Sequence, residues 1–355
     1  MSRFTRKGSF ILLIAVCVLA LTLMSMGMKG ANATAAVQTP TTTPIGLHGY
    51  DISIFAKGTK AYYNPDDIEV VGKYVFVVYQ NGSLPDGSNH LPSTIVAYTL
   101  SGKYVHSISI NGHSDGLRYD PYTKQLWATS NEDANPLLTA IDLSTWATTQ
   151  FSFPRTLHGG GYDDLVFQNG MAFFSASNPT LNSVGINTGP ALVKVVISNG
   201  KLVVTPVLYG NATATDIVTG QKVTLNLTDP DSMTINTNGD IVLDSQGDAE
   251  HIIIHNAGTS QQIVSRLSLG TQVDDSLWIP SAHGRMLLVD AKQNTIYTVI
   301  VDGGFTPGTV YSSAPSDSGV AGFVGITNPR TGTITPVIIG VSSPKGLRFI
   351  PASDK

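Results

Sequence analysis

The chain has 355 residues, of which 13% are charged, with 21 Lys and Arg against 25 Asp and Glu and a formal net charge of −4. The basic residues form no stripe, and this argues against a nucleic-acid partner. Cys17 is the only cysteine, so the chain cannot form an internal disulfide.

The first 33 residues have the features of a signal peptide. A basic start is followed by an apolar stretch, residues 11–24, and then by the small-x-small sequence Ala31-Asn32-Ala33. An uncleaved anchor is the alternative, because the apolar stretch approaches the roughly 20 residues that span a bilayer. Cys17 follows Val16 rather than a small residue, which argues against lipidation. We therefore predict cleavage after residue 33, no membrane contact afterwards, and a secreted or periplasmic protein.

Residues 34–47 are rich in Thr, Pro and Ala and are predicted to form a flexible leader. Residues 48–355 are predicted to form a single domain. Four of the 21 basic residues and no acidic residue precede the cleavage site, which leaves 17 basic against 25 acidic residues, or −8. We expect this mature domain to be monomeric.

A turn signal that opens onto an apolar strand recurs along the domain. Five copies carry an aspartate at the same place, and a weaker sixth copy is Ser316-Asp317-Ser318-Gly319-Val320. The five begin at Asn64, His113, Gly161, Asp229 and Val273, and their aspartates are Asp66, Asp115, Asp163, Asp231 and Asp275. Successive aspartates are 49, 48, 68 and 44 residues apart. About 40–50 residues per four strands is the length of a β-propeller blade.

These repeats predict an all-β fold, a six-bladed β-propeller with four-stranded antiparallel blades; seven blades are the alternative. The 68-residue interval between Asp163 and Asp231 contains an insert at residues 211–229, which is predicted to form an extra hairpin or loop. The fifth blade is assigned Leu277–Ile279, Arg285–Val289, Thr295–Val301 and Gly308–Tyr311. The last blade has Phe323–Ile326, Ile334–Ile339 and Leu347–Ile350, and Tyr50–Phe55 from the start of the domain is predicted to close it as the outer strand.

The aspartates are predicted to meet at one mouth of the central channel, because the first strand of each propeller blade is innermost. Carboxylates gathered there repel one another unless they are protonated, hydrogen-bonded or neutralised by a cation. Ca²⁺ suits them best, since it takes 6–8 oxygen ligands. We expect two to four ligands among Asp66, Asp115, Asp163, Asp231 and Asp275. The alternative, which the sequence leaves equally open, is that each aspartate caps the amides of its own turn.

Other polar residues lie beside this column. His158 precedes three glycines and is a candidate general base on a flexible loop, although an ordinary surface histidine is the commoner case. His113 lies two residues before Asp115 and has the same two interpretations. Arg118 and Arg348 each follow Gly-Leu and could balance the acidic centre.

The segment from Pro230 to Asp244 resembles the Pro-Asp-Gly, Asn-Gly and strand signature of six-bladed propellers of the gluconolactonase/senescence-marker-protein-like and NHL-repeat type. In the lactonases of this group a divalent cation, usually Ca²⁺, is held at the channel mouth by one Glu, two Asn and one Asp. The resemblance implies that Asp231 matches that Asp, as ligand and base. The chain departs from the group where Asp66 or Asp67 replaces Glu, and where Asp115 and Asp163 replace Asn.

We therefore predict a propeller that binds a small-molecule or protein ligand on one face, with a Ca²⁺ site at the channel mouth. The alternative is a metal-dependent lactone or ester hydrolase in which Asp231 or His158 handles the proton. A quinone-dependent or electron-transfer propeller ranks last, because the chain lacks the tryptophan repeats and haem motif typical of such enzymes.

Overall fold

The computed structural model describes residues 43–316 and 319–352. The predicted signal peptide and most of the predicted leader lie outside this range. Over the residues described, the structure has no helix long and apolar enough to cross a membrane. The leader prediction extends to residue 47, but Ile45–Gly46 already pairs with Ile338 and Ile339 at the edge of a sheet.

The described chain forms 27 strands, numbered here in chain order. The first two are β1 (Ile45–Gly46) and β2 (Tyr50–Lys57). The next eight are β3 (Pro65–Val71), β4 (Tyr74–Tyr79), β5 (Pro92–Thr99), β6 (Tyr104–Asn111), β7 (Leu117–Asp120), β8 (Gln125–Ser130), β9 (Leu137–Asp142) and β10 (Thr148–Ser152). The middle of the chain forms β11 (Leu165–Gln168), β12 (Met171–Ser175), β13 (Pro190–Ser198), β14 (Lys201–Tyr209), β15 (Thr213–Asp216), β16 (Lys222–Thr224), β17 (Pro230–Ile235), β18 (Ile241–Ser245), β19 (Glu250–His255) and β20 (Ile263–Ser268). The last seven are β21 (Ser276–Trp278), β22 (Gly284–Asp290), β23 (Thr295–Val301), β24 (Val310–Ala314), β25 (Phe323–Thr327), β26 (Ile334–Ile339) and β27 (Pro344–Pro351).

These strands form six antiparallel blades, which confirms the predicted six-bladed propeller. Blades one, two and three are the consecutive meanders β3–β6, β7–β10 and β11–β14. Blade four is β17–β20, widened by the hairpin β15–β16, whose first strand pairs parallel to β20. The insert predicted at residues 211–229 is therefore an extra hairpin on the outer edge of a blade.

Blades five and six exchange strands, which corrects the predicted assignment. Blade five contains β21, β24, β25 and β26, with β1 added at its edge, whereas the hairpin β22–β23 belongs to blade six. There β22 pairs with the innermost strand β27, and β23 pairs with β2. The prediction assumed that neighbouring strands in sequence pair with each other, which holds for only about two-thirds of cases.

The ring closes as predicted, by a strand from the start of the domain. Strand β2 is the outermost strand of blade six, and β27 packs beside β3 of blade one. The inner strands then follow one another around the channel in the order β3, β7, β11, β17, β21 and β27. The second strands are buried on both faces because a blade packs on each side of them, as in β4, where Phe76 and Val77 are both fully buried.

Candidate functional site

One position at the start of each inner strand faces a common cavity of about 470 Å³ at one mouth of the channel. Going around the ring, this mouth layer consists of Asp66, Asp115, Asp163, Asp231, Asp274 and Lys345. Four of the five predicted aspartates are therefore brought together. The fifth prediction, Asp275, lies one residue too far along the chain, and its neighbour Asp274 occupies the mouth instead. The predicted sixth copy at residues 316–320 falls partly outside the described residues, and β27 provides the sixth position with Lys345.

A second layer lies one residue deeper, and in it aspartates alternate with residues that have little or no side chain. Asp67, Asp164 and Asp275 stand on blades one, three and five, and each accepts a hydrogen bond from the next amide of its own chain at 2.7–2.8 Å. Their second oxygens accept an amide N–H from the following blade, at 2.8 Å from Leu117 and Met233 and at 2.7 Å from Leu347. Blades two, four and six carry the small residues Gly116, Ser232 and Gly346 at this level.

Close packing explains the glycines in this deep layer. A Cβ atom built on Gly116 would lie 2.6 Å from the Cα of Asp164, and one built on Gly346 would lie 3.0 Å from the Cα of Asp67. Glycine at these two positions therefore leaves room for the backbone of Asp164 and of Asp67. For this layer the capping interpretation of the sequence holds.

Two arginines, Arg118 and Arg348, pair with the aspartates of this deep layer. Arg118 lies between Asp67 and Asp164, with Nη2 2.5 Å from Asp164 Oδ2 and Nη1 paired with Asp67, and it also donates to the carbonyl of Met233 at 3.0 Å. Arg348 lies 3.6 Å from Asp275 and 3.5 Å from Glu69. The expectation that Arg118 and Arg348 balance the acidic centre is confirmed for this layer, whose charges are paired and hydrogen-bonded.

The mouth layer has much less compensation. Burial and the charges of neighbouring carboxylates raise the pKa of Asp66, Asp163 and Asp231 well above the ordinary range. Lys345 is the one lysine or arginine of the ring, and its Nζ lies 2.5 Å from Asp274 Oδ2. Although burial opposes its charge, the carboxylates of Asp274, Asp66 and Asp231 raise the pKa of Lys345. Five aspartates thus share one ammonium group.

A cluster with metal-ligand geometry forms on the side of the mouth where blade two lies. Its members are His113, Asp115 and Glu132, and each offers one ligand atom within 4.8 Å of the others. Asp115 is 6% exposed; its Oδ1 accepts from Gln80 at 2.8 Å and lies 3.3 Å from His113 Nε2, while its buried Oδ2 has no hydrogen-bond partner among the described residues. A buried, unsatisfied carboxylate oxygen among further acids is suited to binding a cation. The residues present therefore fit the predicted metal site.

Sequence reasoning missed Glu132 and Lys345. Glu132 follows β8, which runs antiparallel to the inner strand β7, so its chain returns to the mouth at which β7 begins. It is one of only three glutamates in the chain, and this position after a second strand was the signal available. Burial and the charge of Asp115 raise the pKa of Glu132 to about 7.

The structure places His158 away from the cavity lining. Its side chain is 3% exposed, its Nε2 contacts the carbonyl oxygen of Gly161 at 2.6 Å, and its ring packs against Tyr162. The glycines that follow serve tight packing rather than flexibility, since a Cβ on Gly161 would lie 2.1 Å from the carbonyl oxygen of Asn131. His158 is therefore neither a surface histidine nor part of the cavity lining, and burial lowers the pKa of this imidazole.

Comparison with known proteins returned similar structures but no family. No family model matches the chain, and no curated protein matches it either. Similar solved structures include a putative gluconolactonase, which is 11% identical, with a TM-score of 0.45 and coverage of 87% of this chain and 91% of the other. The virginiamycin B lyase of Staphylococcus aureus is 12% identical, with a TM-score of 0.44 and coverage of 86% of this chain and 90% of the lyase. A putative 6-phosphogluconolactonase from Bacteroides fragilis is 13% identical, with a TM-score of 0.44 and coverage of 87% of each chain. Lactonase-like propellers, the kind suggested by the sequence resemblance, are thus among these neighbours, but similarity at this level carries no argument about activity. By its own strand pairing, the chain is a six-bladed β-propeller.

Proposed function

We propose that this propeller binds a divalent cation at the acidic mouth of its channel and uses it to hold a ligand there. The observation that carries the proposal is the buried Oδ2 of Asp115, which has no hydrogen-bond partner among the described residues, in a cavity that six other aspartates and Glu132 also line. The charges of His113 and Lys345 act against the repulsion at Glu132, but burial and the charge of Asp115 still raise the pKa of this carboxyl. A divalent cation would relieve the repulsion among these carboxylates.

Ca²⁺ is the ion that the carboxylates by themselves favour. The sequence resemblance supports this choice through Asp231, which lines the cavity. The ligand fits the description of a small polar molecule better than that of a protein segment, because the cavity of about 470 Å³ is of the size that holds small molecules. Its lining of carboxylates, amides and hydroxyls favours a ligand that offers oxygen atoms to the cation and hydrogen-bond donors to the acids.

Thermal unfolding with and without the ion tests this proposal. The protein is stripped with chelator and then melted with Ca²⁺ added in steps to millimolar concentration. A ligand present at 100 times its Kd stabilises the folded state by about 2.7 kcal/mol, so the Tm should rise by several degrees. Asp115→Asn should abolish the rise, and Asp302→Asn, which changes an exposed residue, should keep it. A Tm that Ca²⁺, Mg²⁺, Mn²⁺ and Zn²⁺ all leave unchanged would contradict the proposal.

A lactone or ester hydrolase is the second candidate. The position of Asp231 in the cavity supports it, together with the raised pKa that burial and Asp274 give to this carboxyl, because an acid that titrates nearer neutrality suits proton transfer. We expect Asp231→Asn to remove metal-dependent turnover of lactones while cation binding persists. Turnover that survives in Asp231→Asn would exclude this role.

A further inference from the structure

We infer that the cation binds off the channel axis, on His113, Asp115 and Glu132, and that this seat selects a transition-metal ion such as Zn²⁺ over Ca²⁺. The inference rests on the proposed function, and it changes both the position and the class of ion that the sequence predicts. The three side chains come from the turn before β7 and the turn after β8, two adjacent strands of blade two. Their ligand atoms lie within 4.8 Å of one another, close enough to surround one ion.

The hydrogen bonds around His113 prepare its ring for a metal. Its Nδ1 lies 2.7 Å from the carbonyl oxygen of Ser83 and 3.1 Å from the Ser83 hydroxyl, which itself donates to the carbonyl of Gln80. A carbonyl only accepts, so the proton lies on Nδ1 and Nε2 is left to face Asp115. Metal-binding histidines have this arrangement, in which the far ring nitrogen donates to a backbone carbonyl and fixes the tautomer.

The carboxylate side of the seat is supported in the same way. Gln80 donates to Asp115 Oδ1 at 2.8 Å and so holds this carboxylate in place, while the other oxygen, Oδ2, is buried and has no partner in the described part of the chain. His113 Nε2 and Asp115 Oδ1 lie 3.3 Å apart, a contact that a proton or a metal ion held by the two atoms makes favourable. Both Asp115 and His113 are more than nine-tenths buried, and both line the cavity.

Lys345, the ammonium group of the mouth layer, pairs with an aspartate of another blade. Its Nζ lies 2.5 Å from Asp274 Oδ2, a contact between blades six and five. In blade two the buried Oδ2 of Asp115 has no hydrogen-bond partner among the described residues. The carboxylate oxygen that lacks a partner therefore lies in the blade that also carries His113 and Glu132.

The donor set decides the class of ion. Ca²⁺ takes oxygen ligands in large number, whereas one imidazole with two carboxylates matches Zn²⁺ and neighbouring divalent transition metals. Three protein ligands leave at least one coordination position open toward the cavity. This is the arrangement of a metal site that binds a further ligand, in agreement with the proposed function.

Isothermal titration of the chelator-stripped full chain with Zn²⁺ and with Ca²⁺ tests the inference. We expect one Zn²⁺ to bind more tightly than Ca²⁺, and His113→Ala and Glu132→Gln each to weaken Zn²⁺ binding by about 100-fold or more. Asp302→Asn, which changes an exposed residue outside the cavity, is the control and should leave Zn²⁺ binding within a few-fold of wild type. Asp231→Asn, which changes the mouth aspartate of blade four, is titrated beside it. Zinc-edge X-ray absorption of the loaded wild-type protein should show imidazole scattering, and this readout does not depend on the folding of any variant.

The alternative outcomes separate the two proposals. If a divalent cation binds, but His113→Ala leaves its affinity unchanged and the absorption spectrum lacks imidazole, the His113 seat is wrong and the proposed function stands. Binding that is lost in Asp231→Asn and kept in His113→Ala would place the ion on the other side of the ring and also overturn the inference. If neither Zn²⁺ nor any other divalent cation binds, both proposals fail.

Discussion

At the scale of single residues, two adjacent aspartates in the same turn have opposite roles. Asp164 is a deep-layer residue that accepts two amide N–H groups and pairs with Arg118. Asp163, one position earlier, lines the cavity, and burial together with Asp231 and Glu132 raises its pKa. The first carboxylate stabilises the fold, whereas the second adds repulsion that a bound cation would relieve.

Substitution by asparagine should separate these roles. We expect Asp164→Asn to destabilise the metal-free protein by about 3 kcal/mol, since it leaves Arg118 buried with one partner fewer. Asp163→Asn should leave the stability unchanged or increase it, because it removes a charge from a repulsive group. Urea unfolding in chelator measures both, with Asp302→Asn as the surface control. Equal losses in Asp163→Asn and Asp164→Asn would show that the two layers do not differ.

At the scale of elements, the inner strands are held together by contacts that cross from blade to blade. The aspartates of blades one, three and five reach the amides of blades two, four and six, and Gly116 and Gly346 leave room for the backbone of two of these aspartates. Buried ion pairs with Arg118 add to these bridges. The start of each inner strand is therefore fixed by its neighbour as well as by its own hairpin.

Adding a methyl group to these glycines should measure that constraint. Gly116→Ala places its Cβ 2.6 Å from the Cα of Asp164, and Gly346→Ala meets the Cα of Asp67 at 3.0 Å. We expect both to destabilise the protein by about 1–3 kcal/mol, with the greater loss for Gly116→Ala, because backbone atoms must move. Gly270→Ala, whose Cβ would meet nothing closer than 4.0 Å, is the control in the same thermal unfolding series. A smaller loss for Gly116→Ala than for Gly270→Ala would contradict the argument.

At the scale of the whole molecule, closure of the ring concentrates acidic groups at one end of the channel. Each blade places one residue from the start of its inner strand at the same mouth. Carboxylates that are far apart in the sequence are therefore close together in the folded propeller. If the proposed cation binds at such a centre, folding and ion binding would depend on each other.

The stability of the metal-free protein should therefore fall as the pH rises from 6.5 to 8.5. The folded pKa of Glu132 is raised to about 7, and those of Asp66, Asp163 and Asp231 are also raised, so the folded state holds protons that the unfolded state has released. The stability associated with these protons is present at low pH and is lost as the pH rises through the folded pKa values. His251, whose pKa burial lowers to about 3, has the opposite effect only below its unfolded pKa of about 6.5.

Scanning fluorimetry in chelator across this pH range measures the effect. We expect the Tm of the metal-free protein to decrease with pH, and a saturating divalent cation to flatten the dependence. A Tm that increases between pH 6.5 and 8.5 would mean that the mouth carboxylates are already ionised and compensated in the folded state.

The sequence by itself determined the repeat, the six blades, the closing strand β2 and the column of aspartates, because each follows from a local pattern of turn residues and apolar strands. Only the tertiary structure decided which member of each Asp-Asp pair faces the cavity, since a shift of one residue along a strand moves a side chain to a different layer. It also decided that β22–β23 joins blade six and that Lys345 completes the ring. Glu132 reaches His113 and Asp115 from a different turn of the same blade. These features depend on contacts between residues far apart in the chain, and the spacing of a repeat carries no information about them.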